Sequence, residues 1–310
     1  MSGQHPRIIV IGSLNVDLTT VIDRMPRPGE TIFAREFHLG FGGKGGNQAA
    51  AARLCGADVA MVARVGDDLF GAATIDSLSQ LGIDTTYVVK TAGASSGIAP
   101  IFIDAAGQNS ILVVKGANDL LLPADVEPAA RVIGSADVLI LQFEIPLATV
   151  YHALDVAQRY GVRAIVNPAP AGPADLSKLS KTDYLIPNES EAEGLTGTVI
   201  QNFETARASA MRLVEHGFKR LIITLGGNGA LFASGPETYH IPAFRVDPVD
   251  TSGAGDAFIG SFAFCIASGM ADREAIQRAN IYAALSTTRS GTRRAFPTRT
   301  EWLGSLGNTV

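Results

Sequence analysis

This chain of 310 residues has only two cysteines, Cys55 and Cys265, and neither stands in a metal-ligand spacing. Both fall in apolar, helix-like surroundings, which favours buried thiols over a disulfide framework or a thiolate metal site. Charge is sparse as well. Asp, Glu, Lys and Arg make up 18% of the residues and the formal net charge is -5, a balance that argues against nucleic acid as the main partner. No apolar run approaches the roughly 20 residues of a membrane helix. The segment Arg7–Ile11 is too short for the apolar region of a signal peptide. Internal repeats, long linkers and low-complexity tracts are missing too. A cytoplasmic protein that engages neither membrane nor nucleic acid is therefore expected.

What the chain does have is apolar mass, 46% of its residues, enough for a large core in one domain or two. Short apolar runs read as strands at Arg7–Ile11, Asp58–Val62, Asp137–Leu141, Arg163–Val166, Tyr184–Ile186 and Arg220–Thr224. Helical periodicity lies between several of them, at Gly71–Leu81, Leu147–Tyr160 and Glu204–His216. Strands alternating with helices imply an α/β fold whose mainly parallel sheet is covered on both faces. Two stretches break the alternation. Asp17–Leu39 and Ser96–Lys115 read as pairs of strands, with turns at Pro26–Gly29 and Ala105–Gln108.

The most informative segment is Asp250-Thr251-Ser252-Gly253-Ala254-Gly255-Asp256, followed by an apolar, glycine-punctuated helix pattern. Small residues Gly253, Ala254 and Gly255 let backbone N–H groups converge at a helix N-terminus, an arrangement that attracts phosphate. Asp256 at the mouth of such a site would repel a bound polyphosphate. It makes chemical sense as a base for a hydroxyl that attacks phosphorus. A plain helix start with Asp in the first turn is the competing reading.

A second glycine cluster, Gly40-Phe41-Gly42-Gly43-Lys44-Gly45-Gly46-Asn47-Gln48-Ala49, leads into a helix pattern. It is not a Walker A loop, because Gly45 follows Lys44 where Ser or Thr is needed and His38 occupies the earlier glycine position. Gly40-x-Gly42-x-x-Gly45 does match the dinucleotide pattern, yet no clear buried strand precedes it and Asp58 starts the next strand instead of ending it. A Rossmann-type oxidoreductase stays open on that pattern. Glycines beside a Lys and an Asn also suit a hydroxyl-rich small molecule. Asn15 and Asp17 follow a strand end on one side of the chain, and Glu144 follows another strand end, where ligands gather in open α/β sheets. Each could equally be a loop cap or a solvated acid.

Taken together, the chain resembles the ribokinase (PfkB) carbohydrate kinases over nearly its whole length. The resemblance is carried, in the family's order, by Gly12-Ser13-Leu14-Asn15-Val16-Asp17, Gly42–Ala49, Gln142-Phe143-Glu144-Ile145-Pro146, Asn167-Pro168-Ala169-Pro170, Pro187–Glu193, Thr224-Leu225-Gly226-Gly227-Asn228-Gly229 and the Asp256 segment. It implies a doubly wound, mainly parallel α/β core over 1–16, 40–95 and 116–310. It also implies a small four-stranded β lid from 17–39 and 96–115, through which homodimers form. The implied activity is transfer of a phosphoryl group from ATP to the 5-hydroxyl of D-ribose.

By the same resemblance Asn15, Asp17, Gly43, Lys44, Asn47, Glu144 and Asp256 bind the sugar, with Ala99 and Ile101 as apolar lid contacts; Pro100 beside them departs from the family's pattern. Asp256 is the base and Gly253, Ala254, Gly255 and Asp256 supply the anion hole. With an ordinary carboxylate pKa near 3.9 such a base is weak, so proton transfer would be late. ATP is assigned to Asn188, Thr224, Gly226, Gly227, Asn228, Gly229, Gly255 and Asn280. Glu191 is linked to Mg²⁺ through water, in keeping with that ion's preference for oxygen and retained waters; an acidic first helical turn would look the same. A K⁺ site, mostly of backbone carbonyls, falls on Asp250, Ser252, Ser286, Arg289, Gly291 and Ala295, the last where the family commonly has Ser. Without the resemblance, residues 287–295 read as a helix end and a basic loop with Arg289, Arg293 and Arg294. Kinases of 2-deoxyribose, a ketohexose or a nucleoside, and a non-catalytic sugar- or nucleotide-binding regulator, remain as alternatives.

Overall fold

The computed structural model describes residues 5–307. Its strands are β1 (Arg7–Ile11), β2 (Asn15–Val21), β3 (Glu36–Gly42), β4 (Asp58–Gly66), β5 (Asp84–Thr91), β6 (Gly97–Ile103), β7 (Asn109–Ile111), β8 (Val138–Gln142), β9 (Arg163–Asn167), β10 (Tyr184–Leu185), β11 (Leu221–Thr224), β12 (Ala230–Ser234) and β13 (Glu237–Ile241). The helices are α1 (Lys44–Cys55), α2 (Leu69–Gln80), α3 (Pro123–Val126), α4 (Ala130–Ile133), α5 (Leu147–Tyr160), α6 (Leu176–Leu179), α7 (Glu189–Thr196), α8 (Phe203–Glu215), α9 (Ala254–Ala267), α10 (Asp272–Ser286) and α11 (Arg299–Leu306).

Nine strands form one sheet in the order β13-β12-β11-β10-β9-β8-β1-β4-β5. Strands β1 and β8 are continuous apolar runs buried on both faces, which is what a central parallel strand requires. Ile8 faces Val59 of β4 on one side and Val138 of β8 on the other, both in parallel register. Only β12 runs against the others: it pairs antiparallel with β11 on one side and with the edge strand β13 on the other. One apolar layer packs α1, α9 and α10 on the sheet through Ala49–Ala52, Phe258, Phe262 and Tyr282. The opposite layer uses Leu139, Leu141, Val150 and Leu213 under α5 and α8.

The chain leaves β1 toward β4 and β5, then returns to β8 and continues the other way. That reversal opens a crevice at the carboxyl ends of β1 and β8. Helices α1 and α9 meet beside it at close range. A Cβ on Gly260 would lie 2.6 Å from Ala51 Cβ and 2.5 Å from the Gln48 carbonyl oxygen, so the contact depends on its absence. This crossing sets Asn47 and Gln48, near the start of α1, against Asp256 in the first turn of α9.

A separate four-stranded sheet, ordered β3-β2-β6-β7, stands over the crevice. Asn15 and Asp17 project from β2 on the face that also carries Ala99 and Ile101, since Asp17 pairs with Ala99 and Thr19 with Ile101. The turn expected at 105–108 closes between Asp104 and Gln108. The one expected at 26–29 is only part of a longer connection, because β2 ends at Val21 and β3 begins at Glu36.

Candidate active site

Gly253 precedes α9 with φ 77°, a left-handed conformation that favours glycine. A Cβ there would also sit 2.7 Å from Thr292 Cγ2. The turn it makes lines a cavity of about 180 Å³ together with Lys44, Asn188, Glu191 and Thr224. Ala254 donates its amide to the Thr251 carbonyl at 3.2 Å, so that donor of the expected anion hole is engaged within the turn. The amides of Gly255 and Asp256 have no protein partner among the described residues.

Asp256 is only 7% exposed. Its Oδ2 accepts from Asn47 Nδ2 and its Oδ1 from Gln48 Nε2, both at 2.9 Å. Gln48 is held in turn by Gln142, whose Nε2 donates to Gln48 Oε1 at 2.6 Å. Burial raises the Asp256 pKa, opposed by the Lys44 charge and by the two amide donors. The ordinary carboxylate pKa expected from the sequence is thus corrected upward: the lost hydration of a buried carboxylate makes it a stronger base. Lys44 is enclosed as well. Burial would lower its pKa, but the surrounding Asp256, Glu144 and Glu191 outweigh that and raise it.

Where the sugar is expected, Glu144 Oε2 accepts from Ser13 Oγ at 2.5 Å and from the Lys44 amide at 3.0 Å. This ties the end of β8 to the turn after β1 and to the start of α1. Asn15 Oδ1 accepts from Asn118 Nδ2 at 2.8 Å, which leaves the Asn15 amide nitrogen as the available donor. Burial raises the Asp17 pKa against the pull of the Arg293 charge and a bond from Thr292. Gly43 caps α1 between these groups.

On the opposite side, Asn188 and Glu191 form a reciprocal cap on α7. Asn188 Oδ1 accepts from the Glu191 amide at 2.8 Å, and Glu191 Oε2 accepts from the Asn188 amide at 2.9 Å. The acid expected to reach Mg²⁺ is thus also the capping acid of α7. Glu191 also accepts from Asn167 Nδ2 and from Asn188 Nδ2, at 3.2 and 3.1 Å. Burial raises its pKa. No cluster of three or more His, Cys, Asp or Glu that could hold a metal directly occurs among the described residues. A single acid already carrying amide donors fits an ion held through water.

The loop after β11 forms a short turn, Gly226–Asn228, closed by the Leu225 amide on the Gly229 carbonyl at 2.8 Å. Thr224 reaches the central cavity, whereas Asn228 lines a neighbouring depression of about 530 Å³ with Glu189, Phe203 and His240. Asn280 lines neither; its amide donates to the Pro242 and Ile241 carbonyls at 3.1 and 3.4 Å. The residues expected around K⁺ converge in part. Asp250 accepts from the Ser252 and Gly291 amides at 2.9 Å each. Ser286 turns its hydroxyl to the Ala283 carbonyl, and Arg289 pairs with Glu301. Ala295 is buried.

Polar residues without a role in the sequence reading join the site, among them Gln48, Asn118, Asn167 and Arg293. Gln48 stood in the glycine cluster beside Asn47. Arg293 gave no local signal, because only the tertiary fold brings it to Asn47.

Comparison with known proteins identifies the family. The model of the pfkB family carbohydrate kinases matches residues 5–299. A deoxyribokinase of Salmonella typhi is 46% identical over 94% of this chain and 95% of its own length. The ribokinase of Mus musculus is 42% identical over 94% and 91%. Among solved structures, Arabidopsis thaliana ribokinase complexed with ribose and ATP superposes with a TM-score of 0.93 at 29% identity, over 98% of this chain and 99% of that one. Thermotoga maritima ribokinase gives 0.89 at 35%, over 97% and 99%. Across almost its whole described length, then, the chain belongs to the pfkB family of carbohydrate kinases.

Proposed function

We propose that this ATP-dependent carbohydrate kinase phosphorylates the 5-hydroxyl of D-ribose. The observation that carries the reading is the buried Asp256 carboxylate, fixed by two amide donors beside the free Gly255 and Asp256 amides. A carboxylate placed there suits proton removal from an attacking hydroxyl better than phosphate binding. In the proposed reaction the sugar O5 bonds to the γ-phosphorus as the bond to the β-phosphate oxygen breaks, giving ADP. The O5 proton passes to Asp256 late in the step. The Gly255 and Asp256 amides and Lys44 stabilise charge on the transferring group, and positioning contributes most of the acceleration.

Asn15, Asp17, Asn47 and Glu144 supply donors and acceptors for the other hydroxyls, under the apolar lid contacts of Ala99 and Ile101. Asn188 and Thr224, with the glycine loop 226–229, would hold ATP, and Asn280 would lie near its base. Mg²⁺, held through water by Glu191, would neutralise phosphate charge. Potassium is the proposed occupant beside Asp250 and Gly291; Ala295 offers no hydroxyl, so carbonyls carry that role. The outward face of the lid, opposite Asp17, exposes Phe37 at 60% and Leu112 at 63%. An apolar strip of this kind supports a homodimer through the lid. The setting would be the cytoplasm, where ATP is supplied.

A second reading, 2-deoxyribose as the acceptor, is favoured by the similarity to the Salmonella deoxyribokinase. The two sugars differ by one hydroxyl and are separated by kcat/KM. Release of ADP should be measured with ATP, Mg²⁺ and K⁺ across ribose, 2-deoxyribose, fructose, glucose and adenosine. Preference for ribose supports the proposal, and preference for 2-deoxyribose replaces it with the second reading. Turnover of fructose or adenosine alone would show that the pocket around Asn15 and Asp17 serves another acceptor.

A further inference from the structure

Within the basic loop before α11, Arg289 and Arg294 are exposed, but the guanidinium of Arg293 is enclosed even though the residue as a whole is only half-buried. Its Nε donates to Asn47 Oδ1 at 3.1 Å and its Nη2 to the Gly42 carbonyl at 2.6 Å. Nη1 is buried with no partner among the described residues. The space is made for it: a Cβ on Gly46 would lie 2.0 Å from Nη2. A buried cation with an unmet donor is costly. Burial pulls its pKa down to about 10, against the pull of Asp17 and Asp256. A group kept in so unfavourable a place calls for a compensating role.

That role is legible in the hydrogen bonds around Asp256. The two ends of a side-chain amide have nearly the same shape, so an amide presents its nitrogen reliably only when its oxygen is engaged elsewhere. Gln48 is held by its oxygen through Gln142. Asn47 is held by its oxygen through Arg293. Each then turns its nitrogen to a different oxygen of Asp256. We infer that Arg293 is a positioning residue for the base: it orients Asn47 toward Asp256, adds positive charge beside the carboxylate, and anchors the end of lid strand β3 to α1 through Gly42. The charged groups facing Asp256 from the packed elements are Lys44 of α1, Glu144 after β8, Glu191 of α7 and Asp17 of β2, besides Arg293 itself. Three added carboxylates against one lysine leave Arg293 as the second cation of the site.

The inference rests on Asp256 acting as the base, and it is tested with Arg293→Met and Arg293→Lys. Two readouts are needed: steady-state kinetics, and the pH titration of the Asp256 carboxyl carbon by ¹³C NMR, assigned with Asp256→Asn. Arg293→Met should lower kcat about 10- to 100-fold, the range expected when a reacting group is misplaced by about an ångström. The KM for ATP should stay within about twofold, while the Asp256 titration moves to higher pH. Arg293→Lys should keep the titration near wild type, because the charge remains. Its compact ammonium cannot reproduce the planar fork to Asn47 and Gly42, so kcat should stay reduced. A folded Arg293→Met protein with wild-type kcat and an unmoved Asp256 titration overturns the inference. If that variant fails to melt cooperatively, wild-type turnover in Arg293→Lys overturns it instead, and reduced turnover supports it. Absence of sugar-dependent turnover in the wild type would remove the kinase reading, whereas the titration would still judge Arg293.

Discussion

Replacing Asp256 with Asn separates chemistry from structure, because the consequences can be worked from the bonds around it. The carboxylate accepts from Asn47 Nδ2 and Gln48 Nε2, one on each oxygen. An asparagine keeps one acceptor and turns an NH₂ toward the other donor. Neither neighbour can flip to compensate, since Arg293 holds the Asn47 oxygen and Gln142 holds the Gln48 oxygen. One buried donor is left unmet, at a cost of about 1–3 kcal/mol. Loss of a buried charge offsets part of this, so the fold should survive with a modest drop in Tm. Turnover should fall about a hundredfold or more, the contribution of a general base, which is about 2.7 kcal/mol of barrier. ATP affinity, read by isothermal titration calorimetry, should change little. The assay is coupled ADP release with saturating sugar. A folded variant within a few-fold of wild-type kcat would refute the base assignment.

Gly253→Ala should cost about 1–2 kcal/mol from its left-handed backbone in addition to the 2.7 Å approach to Thr292; expected are a Tm lower by at least about 1.5–3 °C and a loss of kcat exceeding that of KM for sugar. In the pH profile of kcat/KM, the acid limb should lie above the ordinary carboxylate range, because burial raises the Asp256 pKa and only its ionised form accepts a proton; a limb at or below pH 4 contradicts this. The same shift has a stability sign. The native carboxylate holds its proton to higher pH than the unfolded one, so wild type should lose stability relative to Asp256→Asn as pH rises from about 4 through the native value, which urea titrations at several pH values will show. Replacing K⁺ by tetramethylammonium should reduce kcat while chelating Mg²⁺ abolishes it; full activity without K⁺ would remove the role given to Asp250 and Gly291. Phe37→Asp with Leu112→Asp should yield monomers by sedimentation if the lid forms the dimer, and an unchanged mass would exclude it.

The core strands were legible because β1, β4, β8, β9 and β11 each carry an apolar run of three to five residues, as burial on both sheet faces requires. Strand β5 was not legible. It is an edge strand with exposed positions interleaved, and Asp84-Thr85-Thr86 at its start looks like a loop. Hairpin β12–β13 was not legible either: β12 is only five residues long and β13 is polar and mostly not buried. Within the site, Asp256, Lys44 and Asn47 stood in glycine clusters that marked them as candidates, although a plain helix start competed for Asp256. Gln48 stood beside Asn47 but gained no role there, and Arg293 stood in no such cluster, since their meaning comes from partners far away in sequence: Asp256 for the first and Asn47 for the second. An arginine in a basic loop is ordinarily solvated, and nothing in the local pattern of residues 287–295 marks Arg293 as the one that turns inward.

The most direct test is the ³¹P NMR spectrum of the product made from ATP and D-ribose by the purified protein. Transfer to the 5-hydroxyl gives a phosphate ester coupled to two methylene protons, a triplet, in amounts that match the ADP formed. A doublet from an ester at a ring carbon, or ATP left unchanged beside the sugar, would contradict the proposed reaction.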